Sequence, residues 1–225
     1  MNNSENVFFI DGIKVTSKRS RGRRVRIKVD GSTAEVLLFV PRGASEAAAR
    51  KFAASKAGWI KSAVERAAKR IEANRPKDGA IRLFGSEVNF TVRRGGRSYF
   101  DGQAVFLTVK GEGEESFNKA LTEFYREELR AYIESVLPDF VRKTGLIPSE
   151  WRLRDMKTRW GSCAVKTKKL TFNVKLAMYP KECADYVILH ELAHLKYADH
   201  GRNFKALLTA YMPDWKLRKN LLNGE

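Results

Sequence analysis

Residues 187–204, VILHELAHLKYADHGRNF, contain all three histidines of this 225-residue chain. His190 and His194 stand four positions apart, so on a helix their imidazoles lie on one face, one turn apart, and can point at a common ion. Zinc accepts nitrogen ligands in this arrangement, and catalytic zinc sites combine three protein ligands with one open position. The stretch therefore predicts a helix that holds one Zn²⁺ ion.

The third ligand is expected to be His200, the one histidine outside the helical pair. If the helix continued unbroken from His194, six residues would rotate the side chain by a net of about 240° and move it about 9 Å along the axis. The helix is therefore predicted to end between Leu195 and Asp199, so that the chain turns back and presents His200 to the same ion.

Glu191 lies next to the first ligand and is predicted to act as the general base. On the helix it leans to one side of the ion, where it can reach a metal-activated water without binding the metal itself. A bare His-Glu-x-x-His sequence occurs by chance, but this one lies on an apolar helical pattern and precedes a third histidine at ligand spacing. These features together predict a catalytic metal site.

The charge of the chain points to a polyanionic partner. Its 43 Lys and Arg against 26 Asp and Glu give a formal net charge of +17, and such an excess attracts nucleic acid without specifying a fold. The densest run, KRSRGRRVRIK at residues 18–28, ends in an alternation typical of a strand with one basic face. The alternative is a solvated cationic surface that aids solubility. The candidate DNA or RNA contacts are Lys18, Arg19, Arg21, Arg23, Arg24, Arg26 and Lys28.

The pattern along the chain predicts an α+β protein of two domains. Short alternating apolar runs up to about residue 40 indicate a small antiparallel sheet, and a helical pattern capped by Ser45 follows to about residue 74. Strand-like segments at residues 81–109 are expected to join that sheet, and no internal repeat is apparent. We predict a β-rich domain with one long helix at residues 1–112. A second domain, residues 113–225, would place the metal-binding helix beside a short sheet.

The two cysteines, Cys163 and Cys183, form no C-x-x-C pair and are too few for a disulfide framework. A reducing cytoplasm is therefore the expected compartment. The segment MNNSENVFFIDGIKV lacks the positive leader of a signal peptide, and no apolar stretch approaches the roughly 20 residues of a membrane helix. We expect a cytoplasmic protein without membrane contact.

HELAHLKYADHGRNF, together with the upstream RDMKTRWGSC and KLTFNVKLAMYP, resembles the YgjP-like metallopeptidase family, which is related to the SprT-like and WLM-type zinc proteases. The resemblance extends to VPRGASEAAARKFAASKAGWIKS and LFGSEVNFTV in the N-terminal half. It implies a zincin-like domain of the minimal gluzincin type that hydrolyses peptide bonds with zinc. Carried over by position, the family's zinc ligands are His190, His194 and His200, its base is Glu191, and its tryptophan-glycine-serine loop is Trp160, Gly161 and Ser162.

A peptide or protein substrate is expected to bind near LTFNVKL, residues 170–176, which alternates as a strand just before the active-site helix. An exposed edge there would pair with an extended peptide through backbone hydrogen bonds. An interior strand is the alternative. The candidate substrate-binding residues are Trp160, Thr171, Phe172 and Asn173. For the electrophile that assists the metal, no one of Tyr186, Tyr197 and Arg159 stands out.

Two other interpretations stay open. The spacing from His194 to His200 equals that of the metzincins, but Tyr197 occupies their glycine position and Met212 lies too close behind the third histidine for a Met-turn. A nucleic-acid-binding protein with a structural or vestigial zinc site is the second alternative. Structural zinc usually has four protein ligands, and Cys163 or Asp199 would supply the fourth.

Overall fold

The computed structural model describes residues 6–31, 33–77 and 79–223. The chain divides into two compact units, Met1–Ala73 and Asn74–Asn223, so the expected boundary after residue 112 falls inside the second unit. Residues 1–5, which open the segment assessed for a signal peptide, lie outside the described residues. Both cysteines are free thiols, and the cytoplasmic location inferred from them stays a prediction.

The first unit contains a four-stranded sheet. Its strands are β1 (Asn6–Ile10), β2 (Ile13–Ser20), β3 (Arg26–Val29) and β4 (Val36–Pro41). The order is β1-β2-β4-β3, and β2 runs parallel to β4 while the other pairs are antiparallel. The sheet is therefore mixed where a purely antiparallel one was expected. The strands β2 and β3 run in opposite directions, and β4 lies between them and pairs with both. β4 must therefore be parallel to one of them, which is β2.

Two helices follow this sheet, α1 (Glu46–Ala54) and α2 (Ala57–Asn74). The Ser45 side chain accepts a hydrogen bond from the amide of Ala48, as expected of an N-cap. The single long helix expected here is interrupted between Ala54 and Ala57. The core of this unit is formed by Ile10, Val15, Val36, Leu38, Val40, Ala49, Ala53 and Ile60.

The second unit begins with a sheet of its own. Its strands are β5 (Ala80–Leu83), β6 (Ser86–Arg93), β7 (Tyr99–Phe100) and β8 (Ala104–Thr108). Their order, β5-β6-β8-β7, and their pairing directions repeat those of the first sheet, with a parallel middle pair. These strands were expected to join the first sheet. They form a separate one because their buried side chains belong to the core of the second unit.

A long helix, α3 (Gly113–Thr144), covers this core and ends at Gly145, which adopts φ 69°. The helix continues through Pro138, although a proline inside a helix interrupts or bends it. Pro138 is exposed, so the carbonyl group that loses its intrahelical partner is on a surface where water can reach it. The buried face of α3 consists of Leu121, Phe124, Tyr125, Leu129, Ile133 and Leu137.

The remaining elements surround the sequence that carries the histidines. A three-stranded sheet has the order β10-β11-β9, so β11 is its central strand. The elements are β9 (Glu150–Arg154), β10 (Gly161–Ala164), β11 (Lys169–Asn173), a 3₁₀ helix (Val174–Met178), α4 (Lys181–Ala193), α5 (Arg202–Tyr211) and α6 (Trp215–Asn223). The α+β class is confirmed. Among the described helices, none has the length and apolar character needed to cross a membrane.

The turn between β5 and β6 packs against the start of α4. The Phe84 amide donates a hydrogen bond of 2.7 Å to the carbonyl of Ala177. Gly85 adopts φ 88°, and a Cβ atom there would lie 2.8 Å from Cγ of Pro180. A glycine is therefore required at this position both by the backbone conformation and by the approach of Pro180.

We expect Gly85→Ala to destabilise the protein more than Gly95→Ala. Both glycines have positive φ, which costs an alanine about 1–2 kcal/mol, but a Cβ atom at Gly95 meets nothing within 4 Å. Overpacking against Pro180 should add about 1–3 kcal/mol. Urea unfolding of the two variants measures the difference, and equal losses of unfolding free energy would show that this contact is unimportant.

Candidate metal centre

The third histidine returns to the first because the chain reverses after α4. The helix ends at Ala193, and His194 is its C-cap with φ −67° and ψ −17°. This end lies just before the predicted window, which began at Leu195. A turn over residues 194–196 then redirects the chain. As a result, Nε2 of His200 lies 3.1 Å from Nε2 of His190.

The three imidazoles fit a single divalent ion. One nitrogen of each of His190, His194 and His200 lies within 4.8 Å of the others. Ligands bound at about 2.0–2.1 Å around a tetrahedral ion stand roughly 3.3 Å apart, close to the observed spacing of the Nε2 pair. Among the described residues, Cys163 and Asp199 do not belong to this group. A tetrahedral ion held by these three nitrogens would have its fourth position open, as the ions of catalytic zinc sites do.

The other ring nitrogens of the helical pair contact oxygen atoms. Nδ1 of His190 lies 3.3 Å from the hydroxyl of Tyr186, and Nδ1 of His194 lies 3.0 Å from the carbonyl of Tyr197. If Nδ1 carries the hydrogen and donates it to these oxygens, Nε2 is unprotonated. The lone pair of Nε2 is then free to bind an ion. Tyr186 and Tyr197, considered from the sequence as electrophiles, therefore contact the ligands and orient them.

Phe204 forms an apolar support under all three imidazoles. Its ring centroid lies 4.8–5.0 Å from the centroids of His190, His194 and His200. This residue of α5 is buried. The sequence analysis did not predict its role. The signal available was an apolar residue four positions after His200. Burial lowers the pKa of His190 to about 3, with a smaller effect from the neighbouring histidines. A neutral imidazole is the form that binds metal.

Glu191 is buried against the edge of the three-stranded sheet. Only 4% of its surface is exposed, and a Cβ atom at Gly161 would lie 2.5 Å from its Oε1. Any larger residue at Gly161 would therefore displace the carboxylate. Burial raises the pKa of Glu191 to about 8, against the opposing charge of Arg159. A cation between the imidazoles would also oppose this rise, because it favours the charged carboxylate.

Asn173 holds the loop that leads into Trp160 and Gly161. Its Nδ2 donates to the carbonyls of Met156 and Arg159, each at 2.7 Å. Its Oδ1 accepts from the amides of Met156 and Lys175 at 3.3 and 3.1 Å. The side chain is thus fully engaged within the protein, and its role is to set the conformation of the loop beside Glu191.

The structure corrects the expected substrate edge. Thr171, Phe172 and Asn173 lie on β11, which is paired with β10 on one side and β9 on the other. Their exposed fractions are 7%, 0% and 3%. The central strand has neither a free backbone edge nor accessible side chains, so these three residues are not available to a substrate strand. The fourth candidate, Trp160, is half-buried and lines a cavity beside Glu191.

The basic run lies on β2, β3 and the loop between them. Lys18 and Arg19 are on β2, Arg26 and Lys28 are on β3, and the other three basic residues are in the loop. The guanidinium of Arg19 donates to the carbonyls of Pro41 and Ala44 at 3.2 and 2.9 Å. The loop borders an open cavity of about 600 Å³ whose charged lining residues are Arg21, Arg23 and Arg42.

A helix that presents two histidines and a glutamate, with a third histidine returned to it, has the arrangement of a metallopeptidase site. The family model described as YgjP-like, metallopeptidase domain, matches residues 23–225. The chain therefore belongs to the YgjP-like metallopeptidase family, and the resemblance noted from the sequence is confirmed. Metal-dependent cleavage of peptide bonds is the activity of this class.

Comparison with solved structures finds the metallopeptidase zymogen jannalysin of Methanocaldococcus jannaschii. It is 26% identical to this chain, with a TM-score of 0.35, and the match covers 39% of this chain and 92% of that chain. No curated protein matches.

We expect the metal-free protein to lose stability relative to Glu191→Gln as the pH rises from about 4.5 to 8. The folded-state pKa of Glu191 lies above its ordinary value of 4.5, so between these values the folded state retains a proton that the unfolded state releases. This contribution is complete below pH 4.5 and is lost through pH 8, with a slope of up to about 1.4 kcal/mol per pH unit. Denaturant unfolding with a chelator present measures it. Parallel stability curves for the two proteins would contradict the burial of this carboxyl.

Proposed function

We propose that this protein is a zinc-dependent peptidase in which His190, His194 and His200 bind the ion and Glu191 is the general base. The observation that carries the proposal is the convergence of three imidazoles beside a buried glutamate. Three imidazole nitrogens with an open position are a donor set that suits a catalytic zinc ion. A zinc ion held there supplies a Lewis acid that activates water and polarises the peptide carbonyl.

Glu191 provides the proton transfer. Its carboxylate takes a proton from the attacking water and returns it to the amine that leaves. The contact with Gly161 restricts where the carboxylate can lie, and burial raises its pKa above the ordinary value. A bound cation would oppose this rise and favour the carboxylate, which is the form that accepts the proton. The charge of Arg159 keeps this pKa from rising further.

The substrate strand is assigned to β10. Among the strands that the structure describes, β10 pairs with β11 alone, so its other edge has no strand partner there. Gly161 begins β10 and contacts Glu191, so a peptide extended along this edge would pass next to the base. Backbone pairing of this kind recognises an extended chain more than a particular sequence. A sheet edge beside the active-site helix is also what the zincin-like, minimal gluzincin interpretation requires.

Glu191→Gln should retain one zinc per chain and lose about 10²–10⁴-fold in peptide hydrolysis, since the amide keeps the shape but cannot accept the proton. Metal analysis together with cleavage of a mixed peptide library measures both. Glu182→Gln is the matched control, because Glu182 is an exposed residue in the first turn of the same helix. Full zinc occupancy combined with undiminished cleavage by the Glu191 variant would exclude this residue as the base.

A second candidate function is nucleic-acid binding through the basic run, alone or as a way of bringing the peptidase to its substrates. The observation that favours it is the cavity in the first unit lined by Arg21, Arg23 and Arg42. Arginine forks suit phosphate oxygens, and glycines at positions 22 and 43 of the lining leave room for a phosphate near the backbone.

Binding to single-stranded DNA should weaken steeply with salt, with a slope of about −0.7 per phosphate contact in a plot of log K against log salt concentration. The double variant Arg21→Glu/Arg23→Glu should reduce both affinity and slope. The control Lys61→Glu/Lys69→Glu makes the same charge change at exposed positions of α2 and should have a smaller effect. Fluorescence anisotropy measures these affinities, and the absence of binding at low salt would leave the run as a solubility feature.

A further inference from the structure

A small cavity opens directly beside the proposed base. It measures about 170 Å³ and is bordered by His190 and Glu191 on α4 and by Gly161 on β10. An engineered cavity of about 150 Å³ holds a benzene molecule, so this space admits one side chain. Its apolar lining is Trp160, Tyr186, Val187 and Leu222, and its polar lining from α6 is Lys219 and Asn223.

The position of the cavity indicates which substrate residue enters it, given the proposed function on which this inference rests. Glu191 returns the proton to the leaving amine, so the residue that carries this amine lies next to the carboxylate. That residue is the one that follows the scissile bond. Because the cavity adjoins Glu191, it lies where the side chain of that residue could enter.

Lys219 is the cationic group of this cavity. It makes no ion pair among the described residues, whereas Arg218 on the same helix is paired with Asp185 and Asp214. Lys219 lines the same cavity as His190 and Glu191. Its side chain therefore borders the site, and no carboxylate among residues 6–31, 33–77 and 79–223 forms an ion pair with it.

We propose that Lys219, assisted by Asn223, selects substrates with a carboxylate on the residue that follows the scissile bond. Lys219 is an exposed residue of the cavity lining, so its attraction for a carboxylate is that of a partly solvated ion pair. Asn223 adds an amide donor on the same helix. The substrate carboxylate would lie on the α6 side of the cavity, away from the negative charge of Glu191. It can come from an acidic side chain or from the α-carboxyl group of a C-terminal residue.

The test uses zinc-loaded protein and matched peptides with Glu or Gln after the scissile bond. A second set of peptides places the scissile bond before the last residue. Each of these peptides is compared as the free acid and as the C-terminal amide. We expect kcat/KM to favour the carboxylate about fivefold or more, the upper range of an exposed ion pair. Preference for internal Glu identifies the side chain as the source, and preference for the free acid identifies the terminal carboxyl. Lys219→Ala should remove the preference, and Lys219→Glu should reverse it.

Lys216→Glu is the matched control, since Lys216 lies on the same helix over the ring of Trp215 and outside the cavity lining. This variant should leave the preference unchanged.

A binding measurement separates this inference from the proposed function. Fluorescent peptides are titrated onto zinc-loaded Glu191→Gln with and without Lys219→Ala. Carboxylate-selective binding that depends on Lys219, without cleavage by the parent, would support the cavity and overturn the peptidase. Cleavage without any preference that Lys219 controls would overturn the cavity and leave the peptidase intact, and absence of both would overturn both.

Discussion

The reversal of the chain after α4 is the constraint on which the site depends. A helix alone can bring two imidazoles four residues apart to one point. If the helix continued, a residue six positions after the second imidazole would lie about 9 Å further along the axis and point in another direction. Because α4 ends at Ala193, His200 comes back to within 3.1 Å of His190. Phe204, at the start of the next helix, then supports all three rings from one side. The convergence of the three imidazoles and their packing on Phe204 therefore have the same origin.

The active-site helix is held from several directions, and this explains how a buried glutamate is tolerated. The α4 side chains Cys183, Ala184, Val187, Ile188, Leu189 and Leu192 are all buried, so the helix lies within the core rather than on its surface. The β5–β6 turn contacts its beginning at Pro180, and Gly161 contacts the Glu191 carboxylate. Asn173 fixes the loop before Gly161 by three side-chain hydrogen bonds. An uncompensated buried carboxyl is costly, and a rigid surrounding is what keeps it in place next to the reacting groups.

The two four-stranded sheets have the same strand order and the same pairing directions but different surroundings. The first packs with α1 and α2 in one core, and the second packs with α3 and α4 in another. This repetition is not visible as a sequence repeat, because each sheet has adapted its buried residues to a different set of helices. The basic loop between β2 and β3 belongs to the first sheet, while the turn that contacts α4 belongs to the second.

Local chemistry was readable from the sequence alone. The four-residue spacing of His190 and His194, the position of Glu191, the need for a reversal before His200 and the Ser45 cap all depend on helix geometry over a few residues. What the tertiary structure decided depends on partners far along the chain. The sequence could not reveal that β11 lies between two strands, that strands 80–108 form their own sheet, or that Lys219 reaches a cavity next to residues about 30 positions earlier. Strand order and cavities arise from packing between distant segments, and an alternating or charged pattern is compatible with several such arrangements.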